Sequence, residues 1–277
     1  MKNSNFTLMV IVFLTLLLVG CSKKRSNSPE PLICHIGGTM RPVIAELAEK
    51  YSKKTGLKIE INSGGSGELL AHIEMSKNGD VYVCHAPFAD ILRQKGLGDR
   101  IWTIAELRPV IIVRKGNPKK ILGLQDLMRK DVELALTDYK LSTLGRMMST
   151  IFTKAGIDFN KLNKSKRINT NKSGSYVANL VKMGNADAGI VWNAVAYLRR
   201  DSLDVVSISD FLPIPGIDLV TSATGKSYPL TPVRVSVATL KCSKNRSEAA
   251  KFAEFLASPS SRKVFKRYGY QPPPSPK

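Results

Sequence analysis

The sequence predicts an α/β protein built on mainly parallel sheets that are flanked by helices. Short apolar runs, typical of buried strands, alternate along the chain with segments whose apolar residues recur at helical spacing. Strands separated by helical segments favour right-handed crossovers and therefore parallel pairing. The hydrophobic content of 43% and the mean hydropathy of −0.09 are those of an ordinary globular protein.

Residues 1–20 are predicted to be a signal peptide. Lys2 is their only charged residue, and the apolar run 8–18 is too short to span a bilayer as a permanent helix. The segment Leu18–Cys21 is similar to a lipobox, so we expect a lipid on the Cys21 thiol; an ordinary signal peptide with an incidental cysteine is the alternative. The polar, basic residues 21–31 would form a tether. We therefore expect an exported protein, periplasmic or at the cell surface, with a lipid anchor in a membrane.

The first part of the chain is predicted to contain strands at 31–35, 57–61 and 81–84. A helix over 42–54 follows the first strand, with Pro42 tolerated in its first turn. One face of this helix carries its apolar residues, Val43, Ile44, Leu47, Ala48 and Tyr51. After the second strand, the glycine-rich turn Ser63–Gly67 leads into a helix that contains Leu69, Leu70 and Ile73.

The alternation then repeats in the rest of the chain. Strands are predicted at 109–114, 132–136, 167–170, 189–192 and 233–240, and helices at 146–155, 176–183, 194–199, 248–256 and 262–268. Gly184 is well placed to end the second of these helices in a left-handed conformation.

The formal net charge of +20 raises the question of a nucleic-acid partner. We expect none, because the sequence has no basic motif interleaved with aromatic residues and no helix with a long one-sided stripe of lysine and arginine. A positive surface that steers a small anion towards the protein explains the positive net charge more simply.

Four turns combine glycine with hydroxyl side chains just after a predicted strand and just before a helix. They are Gly37–Thr39, Gly64–Gly67, Ser142–Gly145 and Lys172–Ser175. Free amides and the positive end of the helix dipole make such places natural anion sites, and glycines let the ligand approach the backbone. Each turn alone is more often a simple helix cap, but four of them without an acidic residue predict an anion site.

At these turns the chain resembles the molybdate-binding proteins of ABC importers, within the type II periplasmic binding-protein superfamily. The similar segments span most of residues 32–272 in the same order: Gly37–Gly56, Asn62–Val83, Val113–Leu127, Ala186–Trp192 and Ser243–Pro272. The resemblance implies a two-lobed fold, with residues 32–110 and 231–277 in lobe 1, residues 111–230 in lobe 2, and two crossing strands between them. Each lobe would be a mainly parallel sheet flanked by helices.

The resemblance also implies a function, that of a substrate-binding lipoprotein of an ABC importer. The ligand would be a small tetrahedral oxyanion, molybdate or tungstate before others, held between the lobes and passed by a monomeric receptor to a membrane permease. Another anion such as sulfate or a carboxylate is the alternative ligand.

The family's ligand contacts are carried over to eight residues. In the first lobe the hydroxyl contacts fall on Thr39 and Ser66, beside Gly65. In the second lobe, backbone contacts fall near Leu144 and Gly145 and near Ser173 and Gly174. The family's ligand-binding tyrosine corresponds here to Trp192, and the family's Gly-Asp-Pro corresponds to Thr137–Tyr139.

Two Cys-His pairs, Cys34-His35 and Cys84-His85, end predicted strands and do not belong to the molybdate pattern. Three hypotheses apply to them: a Cys34–Cys84 disulfide, buried free thiols with hydrogen-bonded histidines, or a zinc or copper site that would make the protein a metal receptor. Because neighbouring residues of a strand point to opposite faces, the four side chains do not easily converge.

An enzyme is the main rival class. Ser66 lies in Gly64–Glu68, which matches the Gly-x-Ser-x-Gly elbow only in part, and His35, His72 and His85 are the only imidazoles. No Cys-x-x-Cys, Walker loop or His-Glu-x-x-His is present, so we expect neither catalysis nor a cofactor.

Overall fold

The computed structural model describes residues 30–139, 142–164, 168–171, 173–208, 219–221, 227–229 and 233–273. The predicted signal peptide, Cys21 and Lys172 lie outside these residues. By its internal contacts the chain divides between residues 1–30 and 31–277, and every element below belongs to the second unit. No helix of the described part combines the length and the apolar character needed to cross a membrane.

The predicted strands and helices are all present among the described residues, and further elements lie between them. The strands are β1 (Leu32–Gly37), β2 (Ile59–Gly64), β3 (Val81–His85), β4 (Gly98–Glu106), β5 (Pro109–Arg114), β6 (Leu134–Thr137), β7 (Ile168–Asn171), β8 (Ala188–Trp192), β9 (Leu203–Val206), β10 (Leu219–Thr221), β11 (Ser227–Pro229) and β12 (Arg234–Leu240). The helices are α1 (Arg41–Thr55), α2 (Ser66–Ser76), α3 (Phe88–Gln94), α4 (Thr143–Lys154), α5 (Phe159–Asn163), α6 (Gly174–Met183), α7 (Asn193–Tyr197), α8 (Arg246–Ala257) and α9 (Pro259–Arg267). Short 3-10 turns cover Gly38–Met40 and Leu124–Met128.

Two five-stranded sheets form the frame. The first has the order β2-β1-β3-β12-β4, and the second has the order β7-β6-β8-β5-β9. In each sheet three neighbouring strands pair in parallel, and one strand, β12 or β5, runs against its two neighbours. The predicted α/β class with helix-flanked sheets is confirmed, with one antiparallel strand inserted in each sheet.

Helix α1 shows why the periodicity predicted the elements well. The five apolar residues that share one face are all buried, Val43, Ile44, Leu47, Ala48 and Tyr51. Burying each large aliphatic or aromatic side chain stabilises the fold by about 1.5–3 kcal/mol. Gly56, with φ of 75°, ends the helix and donates its backbone N–H to the carbonyl of Ser52 at 2.8 Å.

Two elements of the first half lack a clear sequence pattern and were not predicted, α3 and the edge strand β4. The residues of β4 include the exposed Asp99 and Arg100, so its apolar alternation is weak. Its pairing with β12, far away in the sequence, makes it a strand.

The carboxyl ends of the parallel strands bring the predicted turns to one edge of each sheet. In the first sheet β1 and β2 end at Gly37 and Gly64, where the chain enters the 3-10 turn and α2. In the second sheet β6, β7 and β8 end at Thr137, Asn171 and Trp192, next to the starts of α4, α6 and α7. Ligands of open α/β sheets bind at such edges.

Candidate ligand-binding site

Ser66 is the first residue of α2 and one of the two predicted hydroxyl contacts on the first sheet. Only 5% of the residue is exposed, and its hydroxyl oxygen has no hydrogen-bond partner. Gly37 lies against it, because a Cβ added to Gly37 would come within 2.5 Å of the Ser66 Oγ atom. A buried hydroxyl without a partner costs about 1–3 kcal/mol, so no hydrogen bond within the fold accounts for this group, and its predicted ligand contact stays a prediction.

A buried tyrosine fixes the backbone at Ser66 through a hydrogen bond. The fully buried Tyr82 of β3 donates its hydroxyl to the Ser66 carbonyl at 2.6 Å. Burial raises the pKa of Tyr82 above its ordinary value, which keeps the phenol protonated as a donor. The amide of the exposed Gly65 donates to the carboxylate of Glu68 at 3.3 Å, so this predicted contact residue already has a partner within the chain.

Thr39 lies in the 3-10 turn at the end of β1 and is half-buried. Its carbonyl accepts a hydrogen bond of 2.9 Å from the hydroxyl of Tyr270, near the end of the described chain. Tyr270 is buried and packs its ring edge-on against Phe265 of α9. The C-terminal segment thus fixes the turn that carries Thr39.

At the second sheet, the side chain of Ser142 caps the start of α4. Ser142 accepts a hydrogen bond from the amide of Gly145 at 2.8 Å. A Cβ added to Gly145 would come within 2.0 Å of the Asp138 carbonyl oxygen, so glycine is required here for the close approach of two backbone segments. The side chain of Leu144 is buried in the core. The predicted ligand contacts of these two residues stay predictions, and the Gly145 amide is used inside the chain.

The start of α6, in contrast, has no side-chain cap. The exposed Ser173 precedes the helix, and its side chain accepts no capping hydrogen bond. Gly174 is half-buried, and a Cβ added to it would touch Val191 of β8 at 3.6 Å, within ordinary contact distance. Trp192 ends β8 with 6% of its surface exposed, so its ring belongs to the core more than to an open surface.

Thr137, the last residue of β6, was not predicted as a site residue. It is 4% exposed, and its hydroxyl oxygen has no hydrogen-bond partner, as for Ser66. The sequence signal for it was a hydroxyl residue at the carboxyl end of a predicted buried strand, five residues before the predicted turn Ser142–Gly145.

The structure contradicts the disulfide hypothesis, since Cys34, Cys84 and Cys242 are all free. In the parallel register Cys34 is opposite Val81 and His35 is opposite Tyr82, so Cys34 shares a face with Val81, whereas Cys84 shares the face of Tyr82. The two thiols lie in two different core clusters on opposite faces of the first sheet. Burial raises the pKa of both thiols, which keeps them neutral.

The same alternation separates the ligands of the hypothetical metal site. His35 and Cys84 point to one face of the sheet, and Cys34 and His85 point to the other. In the described part of the chain, no three side chains of His, Cys, Asp or Glu come together to hold a metal ion. Burial lowers the pKa of both histidines, and each ring is hydrogen-bonded to a backbone carbonyl, that of Asn78 or of Ala86. The hypothesis of buried thiols with hydrogen-bonded histidines therefore describes both pairs.

Comparisons with known proteins agree with this architecture. The family model described as bacterial extracellular solute-binding protein matches residues 34–271. A curated relative from Bacillus subtilis, named "Putative ABC transporter substrate-binding lipoprotein YvgL", is 23% identical over 277 residues, 97% of this chain and 98% of the relative.

Two solved structures are similar along nearly their whole length. The "substrate binding domain of putative molybdenum ABC transporter" from Clostridium difficile has a TM-score of 0.68 at 24% identity, covering 88% of this chain and 99% of that one. The periplasmic molybdate-binding protein of Azotobacter vinelandii has a TM-score of 0.66 at 18% identity, covering 88% of this chain and 100% of that one. At these identities the likeness shows a shared fold.

Proposed function

The chain belongs to the family of bacterial extracellular solute-binding proteins and has the type II periplasmic binding fold, and from this premise we propose that it is the substrate-binding lipoprotein of an ABC importer. Its ligand in this proposal is a small tetrahedral oxyanion, molybdate or tungstate before others. The observation that carries the ligand class is the buried, unpartnered hydroxyl of Ser66 at the start of α2. A helix start offers an anion free amides and the positive end of the dipole, and the hydroxyl adds a donor.

The arrangement of the sheets supports binding between two lobes. Lobe 1 in this proposal contains residues 32–110 and 231–277 with the first sheet, and lobe 2 contains residues 111–230 with the second. The chain passes between the sheets after β4 and again before β12, which gives the two crossings that a hinge requires. Each sheet presents the carboxyl ends of three parallel strands, so a ligand between the lobes meets turns from both.

The chemistry of the site supports capture of the anion without catalysis. Because the Ser66 hydroxyl has no hydrogen-bond partner, no imidazole activates it, as nucleophilic catalysis would require. The donors are neutral, and the net charge of +20 attracts anions from a distance through the field of the whole protein.

The export route and the membrane partner follow from the same premise. The lipobox-like ending at Cys21 favours an anchored receptor that stays close to a permease, as the name of the Bacillus subtilis relative also suggests. The receptor would work as a monomer outside the cytoplasmic membrane.

A ligand screen on the full-length protein, solubilised in detergent, tests the proposal. Molybdate, tungstate and sulfate are compared with citrate and with zinc by thermal shift and then by calorimetry. A ligand present at 100 times its Kd stabilises the folded state by about 2.7 kcal/mol, which raises the Tm of a protein of this size by roughly 5–10 °C. Stabilisation by citrate alone would replace the oxyanion with a carboxylate ligand, and stabilisation by zinc alone would make the protein a metal receptor.

A further inference from the structure

We propose that the Thr137 hydroxyl donates a hydrogen bond to the ligand from the second sheet and, together with the open start of α6, forms the half of the site that faces Ser66. This inference rests on the proposed oxyanion-binding function and assigns a specificity-determining residue to it.

The first support is the condition of the hydroxyl. Within the described residues, four buried side-chain polar atoms have no hydrogen-bond partner, and only two of them are hydroxyl oxygens, those of Ser66 and Thr137. Ser66 is the first residue of α2, two residues after β2 ends, and Thr137 is the last residue of β6, so both lie at the carboxyl edge of a sheet. Since buried polar groups are nearly always paired, two orphaned hydroxyls at such edges point to a shared missing acceptor.

The second support is the direction of the Thr137 side chain. Gly189 of β8 faces α6, because a Cβ added to it would come within 2.6 Å of Val177 in that helix. Ala135 is opposite Gly189 in the parallel register and therefore points to the same face. Thr137, two residues further along β6, points to that face as well and ends level with Asn171 of β7. Its hydroxyl thus lies on the side of the sheet where α6 begins.

The third support is the contrast between the two helix starts of the second sheet. At α4, the Ser142 side chain already accepts the amide of Gly145. At α6, which has 10 residues, Ser173 provides no side-chain cap. An anion placed at the start of α6 would therefore receive amide donors from the helix and a hydroxyl donor from Thr137, the same pair of donors that α2 and Ser66 offer on the first sheet.

The positions of the proposed donors on the two sheets limit which ligands fit the site. A hydroxyl from each side requires acceptor oxygens on opposite sides of one small ligand, as a tetrahedral oxyanion has.

The test compares two substitutions in the full-length, detergent-solubilised protein, with sodium molybdate, tungstate and sulfate as the calorimetric probes. Thr137→Val keeps the shape and removes the hydroxyl, and we expect it to weaken binding by roughly ten- to a hundredfold. Thr137→Ser keeps the hydroxyl and should bind close to the wild type. Thr239→Val is the control, because the buried Thr239 hydroxyl accepts the amide of Arg100 at 3.1 Å in the first sheet, away from the site; it should lower stability and leave affinity unchanged.

A second measurement needs no ligand. The urea midpoint of the ligand-free Thr137→Val protein should equal or exceed that of the wild type, because no protein hydrogen bond is lost. A lower midpoint would mean that a buried water already satisfies the hydroxyl, and it would overturn the assignment. Unchanged affinity in Thr137→Val, with a wild type that binds, overturns this inference alone, whereas a wild type that binds none of the three oxyanions overturns the proposed function with it.

Discussion

Substitution of Ser66 by alanine should move stability and affinity in opposite directions. The change removes one buried oxygen that has no hydrogen-bond partner. Relief of an unpartnered buried hydroxyl is worth about 1–3 kcal/mol, and we expect the lower end, about 1 kcal/mol or roughly 2–4 °C in Tm, because a small void remains. A hydrogen bond to a charged ligand is worth about 1.5–3 kcal/mol, so the affinity should fall by roughly ten- to a hundredfold.

The assay pairs urea unfolding of the ligand-free protein with calorimetry of the ligand that the screen identifies. Ser243→Ala is the matched control, since Ser243 is also buried but donates its hydroxyl to the Asp80 carboxylate at 2.6 Å. Removing that bond should destabilise the protein by about 1.5–3 kcal/mol, with no effect on affinity. Loss of stability in Ser66→Ala combined with wild-type affinity would refute the reasoning, because the hydroxyl would then serve the fold.

Three further predictions concern pH, the thiols and the membrane. The pKa of the Glu46 carboxyl is lowered to about 2, mainly by its hydrogen bond with Lys50. The stability that this carboxylate contributes is therefore fully present above its ordinary pKa of 4.5, and it is lost as the pH falls from 4.5 to about 2. Lys50, its main partner, is solvent-exposed, so Glu46→Gln should cost about 0.2–1 kcal/mol at neutral pH and flatten that part of the stability profile in urea titrations. Of the three thiols in the described residues, only that of the half-buried Cys242 should react with a maleimide in the native protein, and mass spectrometry that finds all three labelled at equal rates would contradict the buried sheet positions of the others. Cys21→Ser should shift the protein from the membrane fraction to the soluble fraction, whereas membrane retention of the variant would speak against a lipid anchor.

Much of the fold was predictable because its cause is local. The buried face of α1 and the strand β8 follow from the spacing of apolar residues, and Gly184 ends α6 in the left-handed conformation expected of it. The short strand β9 carries a weaker pattern of its own, with an exposed Val205, and its place depends on its pairing with β5. Such an element is fixed by partners that are distant in the sequence, so its own residues predict it poorly.

The sequence by itself determined where donors for an anion could gather, because a glycine or hydroxyl residue between a strand and a helix has the same local meaning in any α/β protein. Only the tertiary structure decided which of these groups are free. Of the predicted groups, Gly145 is committed to the cap formed by Ser142, whereas Ser66 is buried without a partner; the structure adds Thr137, a second unpartnered hydroxyl that the sequence did not predict. Whether a polar atom is satisfied depends on neighbours supplied by strand register and by close backbone contact, and neither is encoded in the spacing of residues along the chain.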